Sequence, residues 1–398
     1  MSPVIPSFSG HGLAMRAAHQ LRALAERFSV HLLVVAIYGG HDETPAEEIL
    51  RRCASWKRIN APLPPGPGTR SPLRNWLRWG NGHLPVEWSA WQAAHDKEAR
   101  AYFTETRCVS LWVFRFYLLP WAKAWLGQGH TTWVDLDELE SSTRANQAKL
   151  LLQLGRIEEA RKLETEAATY RWLERRFLSR FERIVTASEV ETVRVREIVG
   201  TLPVETWPNI ISVPPLAKDE VPDQPAHLLF IGSLGHFPNR EAVRYAALEI
   251  LPRLERRLGR AVRLKVAGAG AEVHRADLAD LEGVDLLGTV EELTPVYVAA
   301  TLIIVPLQAG GGTRIKILEA FAYRKAVVST RIGAEGLEVT HGEELLLANE
   351  PDEFAECCAE LLIDAKKRSL LAAAGHAYVL AHHGEENLRI LTAVLPGI

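Results

Sequence analysis

Gly310, Gly311 and Gly312 stand in a row, followed by Thr313, Arg314 and Lys316, with Glu319 further on. Glycines leave backbone N–H groups uncovered, and a helix starting there presents the positive end of its dipole. That combination suits an anion such as a phosphate. Arg314 and Lys316 add positive charge to the first turn, where the dipole disfavours it, so a bound anion is a natural compensation. A carboxylate at Glu319, about one turn on, accepts hydrogen bonds from sugar or ribose hydroxyls. The plainer alternative is a helix start with solvated charges and a surface glutamate, and the residues alone leave both open.

The flanking elements are legible. Leu302, Ile303, Ile304 and Val305 form the short apolar run of a strand buried on both faces, ended by Pro306. Thr313 is the expected helix cap, with Ile315, Leu318 and Ala322 facing inward and Ile317 beside them. A second apolar strand follows at 326–329. The unit is therefore strand, glycine turn, helix, strand.

The run GGGTRIKILEAFA, with VVST and GAEGL after it, closely resembles the signature of the family 4 nucleotide-sugar glycosyltransferases of GT-B fold. FIGSLGHFPNREAV from Phe230, the turn AGAG at 267–270 and LLGTVEEL from Leu286 agree with it. The resemblance is specific over 228–383 and weaker before that. It implies two Rossmann-like, doubly wound parallel-sheet domains of α/β class facing a cleft. It also implies transfer of a sugar from a nucleotide-diphosphate sugar to a glycan or lipid-linked acceptor, with retention, in polysaccharide or glycolipid biosynthesis. No cofactor is expected, and no metal, since GT-B enzymes generally need none for the transfer.

By the same resemblance, Gly232, Ser233, Gly268, Gly270, Val290, Gly310, Gly311, Gly312, Thr313 and Glu319 form the donor site. Two departures stand out. The family often carries two glutamates separated by seven residues; Glu319 is the second, but Gly311 occupies the first position. The Arg and Lys common after the first strand of the donor domain are replaced by Gly-Ser-Leu-Gly at 232–235. Arg314 and Lys316 are expected to supply the displaced charge, and with Glu319 they are the catalytic candidates. His11, Gly12, Asp135 and Asp137 are the acceptor-side candidates. A protein of this fold that has lost transfer and serves as a binding or scaffold subunit is the competing reading, favoured by Gly311 and opposed by the intact glycine turns.

The chain has 398 residues and a net charge of -3, which argues for two cores and against a nucleic-acid partner. Cys53, Cys108, Cys357 and Cys358 lack metal spacing and read as reduced thiols. Neither a secretory signal nor an apolar run long enough to span a bilayer is visible. A cytoplasmic protein is the expectation. Arg70, Arg74, Trp76, Arg78, Trp79, Trp88 and Trp91 suggest a peripheral docking face at the inner side of a membrane, against ordinary Trp–Arg packing.

Domains are expected at 1–213 and 226–383, with the proline-rich 214–225 as linker and 384–398 as a terminal helix crossing back to the first domain. Residues 44–56 and 117–126 read as helices, and 210–213 as the last strand of the first domain. Ser141 and Ser142 are cap candidates for a long helix broken near Gly155. Only residues 3–5 precede the first glycine loop, Gly10 to Gly12, as strand, so the first strand is expected to be very short or truncated.

Overall fold

The computed structural model describes residues 1–39, 42–64, 83–215, 227–274, 278, 280–312 and 314–388. It divides into two compact units, Met1–Pro208 with Leu388, and Asn209–Asn387. The division falls ahead of the proline-rich stretch, whose residues 216–226 lie outside the described residues, as do Thr313, residues 65–82 and residues 389–398.

The N-terminal unit holds β1 (His31–Ala36) beside β2 (Ser55–Asn60), and β3 (Ser110–Phe114), β4 (Thr131–Asp137), β5 (Arg183–Thr186) and β6 (Val204–Thr206) in that order, all parallel. Near-continuous apolar runs such as Leu32–Leu33–Val34–Val35 are fully buried, as parallel strands covered on both faces require. Helix α1 (Gly12–Ala25) opens the unit, and α2 (Ala93–Glu105) precedes β3. Helices α3 (Glu140–Gln153) and α4 (Ile157–Phe177) are separated by a break in which Gly155 takes φ 74°. Helix α5 (Glu189–Val199) is capped by Ser188, whose side chain accepts from the Glu191 N–H.

Several expectations need correction. Residues 44–56 contain one helical turn, Glu47–Leu50, because the chain must straighten into β2 at Ser55. Residues 117–126 form short 3₁₀ and α turns rather than one helix. Ser141 and Ser142 lie inside α3, and its first turn is served by distant carboxylates: Glu191 accepts from the Leu139 N–H and Glu174 from the Ser141 N–H, each at 3.0 Å. The last strand is β6, not 210–213; Ile211 instead donates its N–H to the carbonyl of His383. Trp88 and Trp91 are buried to 1% and 4% exposure within the core. Full burial of a large apolar side chain contributes on the order of 1.5–3 kcal/mol, so these two are core residues and not a membrane face. Arg70, Arg74, Trp76, Arg78 and Trp79 lie outside the described residues.

Among the described residues the C-terminal unit builds one six-stranded parallel sheet. Its strands are β7 (His227–Ile231), β8 (Arg263–Ala267), β9 (Val284–Gly288), β10 (Leu302–Val305), β11 (Val327–Ser329) and β12 (Leu346–Leu347). Their order is β12-β11-β10-β7-β8-β9, so the winding reverses between β7 and β10. After β7 comes α6, which runs Phe237–Tyr245, passes a π turn at Ala246–Ile250 and continues as Leu251–Leu258. Then come α7 (Leu293–Ala299), α8 (Ile315–Ala322), α9 (Pro351–Ile363) and α10 (Ala365–His383). Among the described residues no helix is long and apolar enough to cross a membrane.

Candidate active site

Open parallel sheets bind ligands outside the carboxyl ends of their strands, where the strand order reverses. Here that point lies between β7 and β10, and both are followed by glycine turns. The turn after β7 packs backbone to backbone on the turn after β8. A Cβ on Gly268 would come within 2.2 Å of the Gly232 carbonyl oxygen, and one on Gly270 within 2.7 Å of the Gly235 nitrogen. Both glycines also have positive φ. They hold two turns together, while Ser233 is exposed and Val290 half-buried beyond β9.

After β10, Gly310 and Gly312 take φ 138° and 68°, and α8 begins at Ile315. Arg314 folds back on this turn. Its guanidinium donates to the carbonyl of Gly311 and, at 3.2–3.3 Å, to that of Ile332. Gly310 lies flush against it, since a Cβ there would be 3.0 Å from the guanidinium. Arg314 therefore shapes the turn as well as charging it.

Lys316 does something different. From the first turn of α8 it reaches across to the end of β7. Its ammonium donates to Asn239 Oδ1 at 2.8 Å, stands 4.4 Å from the centroid of the Phe230 ring and lies against Gly232, where a Cβ would be 2.9 Å away. Asn239 in turn donates to the Ser233 carbonyl at 2.8 Å. Among the described residues no carboxylate lies within 4.0 Å of Lys316. Desolvation first, then the neighbouring Arg314 charge, push its pKa down to about 7.

Glu319, on the next turn, is 8% exposed and accepts from the Tyr297 hydroxyl at 3.3 Å. Burial raises its pKa to about 7, partly offset by the Tyr297 hydrogen bond and the Lys316 charge. Tyr297 stacks on Tyr323 with centroids 4.3 Å apart, and the Tyr323 hydroxyl meets Thr294 at 3.0 Å. Among the described residues the switch point thus carries an ammonium with no carboxylate in ion-pair contact and, a turn further on, a carboxyl whose pKa is raised to about 7. An anion would find charge, a helix N-terminus and a hydrogen-bonding carboxyl within one turn of α8.

In the N-terminal unit, His11 caps α1, its Nδ1 accepting from the Ala14 N–H at 3.3 Å, and Gly12 opens the helix. Asp135 is fully buried, with Arg16 donating to its two oxygens at 3.0 Å each and the Asp137 N–H adding a third bond at 2.7 Å. Asp137 accepts from Arg115 at 3.0 Å, and Arg115 also bonds Glu138 and Glu140. Both aspartates are raised in pKa, by burial first. Their oxygens are thus engaged within the fold. Among the described residues no His, Cys, Asp and Glu group could hold a metal ion.

Sequence reasoning missed Asn239, Phe230, Tyr297 and Arg16. A signal existed for Arg16, a charge within the apolar face MRAAHQL of α1 that demands a buried partner. No local signal marks Asn239, 77 positions before Lys316.

Comparison with known proteins agrees with this geometry. Residues 225–364 match the family model described as glycosyl transferases group 1. The chain carries a group 1 glycosyltransferase domain, and its fold is GT-B. Sucrose-phosphate synthase from Thermosynechococcus elongatus is similar over 98% of this chain and 94% of its own, at 17% identity and TM-score 0.67. HepE from Anabaena, solved with UDP and glucose, is similar over 98% and 96%, at 14% identity and TM-score 0.61. TarM from S. aureus, solved with fondaparinux, alpha-GlcNAc-glycerol and UDP, is similar over 70% of this chain, which spans 52% of TarM, at 11% identity and TM-score 0.54. A protein described as an uncharacterized 44.6 kDa protein in the cps region of Klebsiella pneumoniae is 41% identical over 66 residues, 17% of each chain.

Proposed function

We propose that this protein transfers a sugar from a nucleoside-diphosphate sugar to a glycan or lipid-linked acceptor, with retention, in polysaccharide or glycolipid biosynthesis. The bond from sugar C1 to the β-phosphate oxygen breaks, the acceptor oxygen bonds to C1, and the acceptor proton passes to the leaving diphosphate. The observation that carries the reading is Lys316: an ammonium held at the switch point by the neutral Asn239, with no carboxylate in ion-pair contact among the described residues. The family's usual cations after the first strand of this domain are absent, and Lys316 reaches that same strand end from α8. It stabilises the charge that gathers on the departing diphosphate, where preorganised charge has most effect. The N–H groups at the start of α8 cradle the phosphates, with Gly310, Gly311 and Gly312 leaving the approach open. Glu319 accepts from a ribose hydroxyl and Arg314 holds the turn. HepE and TarM, each solved with UDP, favour a uridine donor.

The test is calorimetric titration of the chain with UDP, GDP, ADP and dTDP and their sugars, beside Lys316→Met, plus nucleoside diphosphate release with candidate acceptors. Selective binding that weakens in Lys316→Met supports the proposal. A folded chain that binds none of them overturns it and leaves the scaffold reading.

A further inference from the structure

Among the described residues every Phe, Tyr and Trp is buried or half-buried except Tyr38, which is 58% exposed. It follows closely on the end of β1 at Ala36. Its ring stands perpendicular to that of Tyr117, with centroids 6.3 Å apart. Tyr117 comes just after the carboxyl end of β3, so Tyr38 belongs to the rim that the carboxyl ends of these parallel strands form.

Tyr38 is held in the reverse of the usual way. A surface tyrosine ordinarily buries its apolar body and keeps its hydroxyl in water. Here the hydroxyl is turned inward and donates at 2.6 Å to Oε1 of Glu87, which is 2% exposed. Glu87 is itself fixed: Arg144 donates to the same oxygen at 2.6 Å, and the Tyr170 hydroxyl to the other at 2.7 Å. Arg144 and Arg115 both bond Glu140, and the Arg115 guanidinium lies 5.6 Å from the centroid of the Tyr117 ring. The anchor of Tyr38 and the ring beside it thus belong to one buried network. Leaving an aromatic face in water forgoes the free energy of its burial, yet the network holds it there.

What covers such a face must be apolar on one side and soluble on the others. A pyranose is both, with axial C–H bonds on its face and hydroxyls around its edge. The surroundings favour a sugar over a phosphate-bearing ligand. The carboxylates of Asp137 and Glu138 are more open to solvent than the Arg115 guanidinium that joins them. Carboxylate oxygens accept from hydroxyls and repel phosphate. The groups that suit the donor lie in the C-terminal unit, so a sugar at this rim is the acceptor's.

We infer that the ring of Tyr38 is the platform on which a pyranose of the acceptor stacks, set in place beforehand by the bond of its hydroxyl to Glu87. The inference rests on the proposed transfer to a glycan-bearing acceptor.

The test is saturation-transfer NMR of the full chain loaded with UDP. The probes are the methyl glycosides of glucose, galactose, mannose, rhamnose and N-acetylglucosamine, and the variants are Tyr38→Ala, Tyr38→Phe and Tyr38→Trp. At least one glycoside should take up saturation at its ring C–H protons. Tyr38→Ala should weaken its binding roughly five- to tenfold, the value of covering about one face of an aromatic side chain. Tyr38→Trp, which enlarges the platform and uncovers nothing, should hold the glycoside at least as well as the parent. Tyr38→Phe keeps the ring without its anchor and should fall between parent and Tyr38→Ala. Calorimetric UDP affinity should be alike in all four chains. A glycoside held equally by parent and folded Tyr38→Ala overturns the inference, as does one that Tyr38→Trp rejects. A chain that binds UDP and none of the five glycosides also overturns it, and leaves the transfer reading standing. Binding of a glycoside through Tyr38 by a chain that binds no nucleotide keeps the platform and sinks the transfer.

Discussion

Charges gather at the carboxyl ends of parallel strands in both units, and the two units treat them oppositely. At the ends of β3 and β4, Arg16, Arg115 and Arg144 are bonded to Asp135, Asp137, Glu138, Glu140 and Glu87, and Arg144 also to Glu166. Arg115 and Asp137 even take positive φ, 76° and 59°, to meet these partners, a strain of order 1–3 kcal/mol each. Beyond β7 and β10, Lys316 donates to the neutral Asn239 and Glu319 accepts from the neutral Tyr297, and the two charges ease one another without forming an ion pair among the described residues. A charge whose field is satisfied inside the fold pins backbone. A charge left with neutral partners carries a desolvation cost that a ligand of opposite sign relieves. The acceptor-side candidates Asp135 and Asp137 belong to the first kind, and Lys316 to the second.

Breaking the closed network gives the largest effect. Arg16→Ala leaves Asp135 buried without its counter-charge, and removing one partner of a buried pair costs about 3–5 kcal/mol. Urea titration should show that loss in the N-terminal unit, with nucleotide affinity of the remaining folded chain unchanged. A loss under about 1 kcal/mol would mean the pair does not pin β4 to α1.

Lys316→Met is the mirror experiment. A charge-assisted contact to phosphate contributes on the order of 1.5–3 kcal/mol, so UDP affinity should fall roughly 10- to 150-fold. Stability should hold or rise. The folded pKa of Lys316, about 7, lies below its ordinary 10.5. Its charged form is therefore disfavoured by folding, and that cost is present in full below pH 7 and relieved as pH rises towards 10.5. A variant that binds UDP normally but melts early would make Lys316 a strut between α8 and α6, and the contrast between the two units would collapse.

How much of this could be read beforehand follows from the range of each interaction. The glycine turn, its flanking strands and the alternation through 302–329 are local patterns, and β10, α8 and β11 stand where periodicity puts them. Ser188 caps α5 by a bond spanning three residues, and the sequence announces it. The start of α3 is different: its donors are met by Glu174 and Glu191, 33 and 52 positions away, so Ser141 and Ser142 look like caps and are not. The three-residue β6 carries too few residues to show a period, whereas the apolar 210–213 imitates a strand. At the site, the identity of Lys316 was legible but its reach to Asn239 was not, because a helix pattern says nothing of which strand end a long side chain finds.

The pH dependence of binding sharpens the contrast further. UDP binds best to charged Lys316, and binding raises the pKa of that ammonium. Affinity should be nearly flat below pH 7 and fall by up to about tenfold per unit above it, until the pKa of the bound state is reached. Calorimetry in buffers of different ionisation enthalpy should record proton uptake approaching one near pH 8. That uptake should not survive in Lys316→Met, where only the carboxyl of Glu319 still titrates near 7; its persistence there would assign the proton elsewhere.

The smallest effect separates the two faces of Glu319. Gln keeps its shape and a carbonyl acceptor for Tyr297, so UDP affinity should drop by only about 0.5–1.5 kcal/mol, the net value of one hydrogen bond. Stability moves the other way. With a folded pKa of about 7 against an ordinary 4.5, the protonated form is favoured by folding. That contribution is fully present below pH 4.5 and lost as pH rises through 7. Glu319→Gln should therefore melt higher than the parent at pH 8, by a margin that shrinks towards pH 5, where the parent carboxyl is already mostly neutral. A margin independent of pH would show that the Glu319 carboxyl titrates alike in the folded and the unfolded chain, so that burial costs it nothing. One that narrows while nucleotide affinity also drops is the signature of a carboxylate kept, at a cost to the fold, for a ligand hydroxyl.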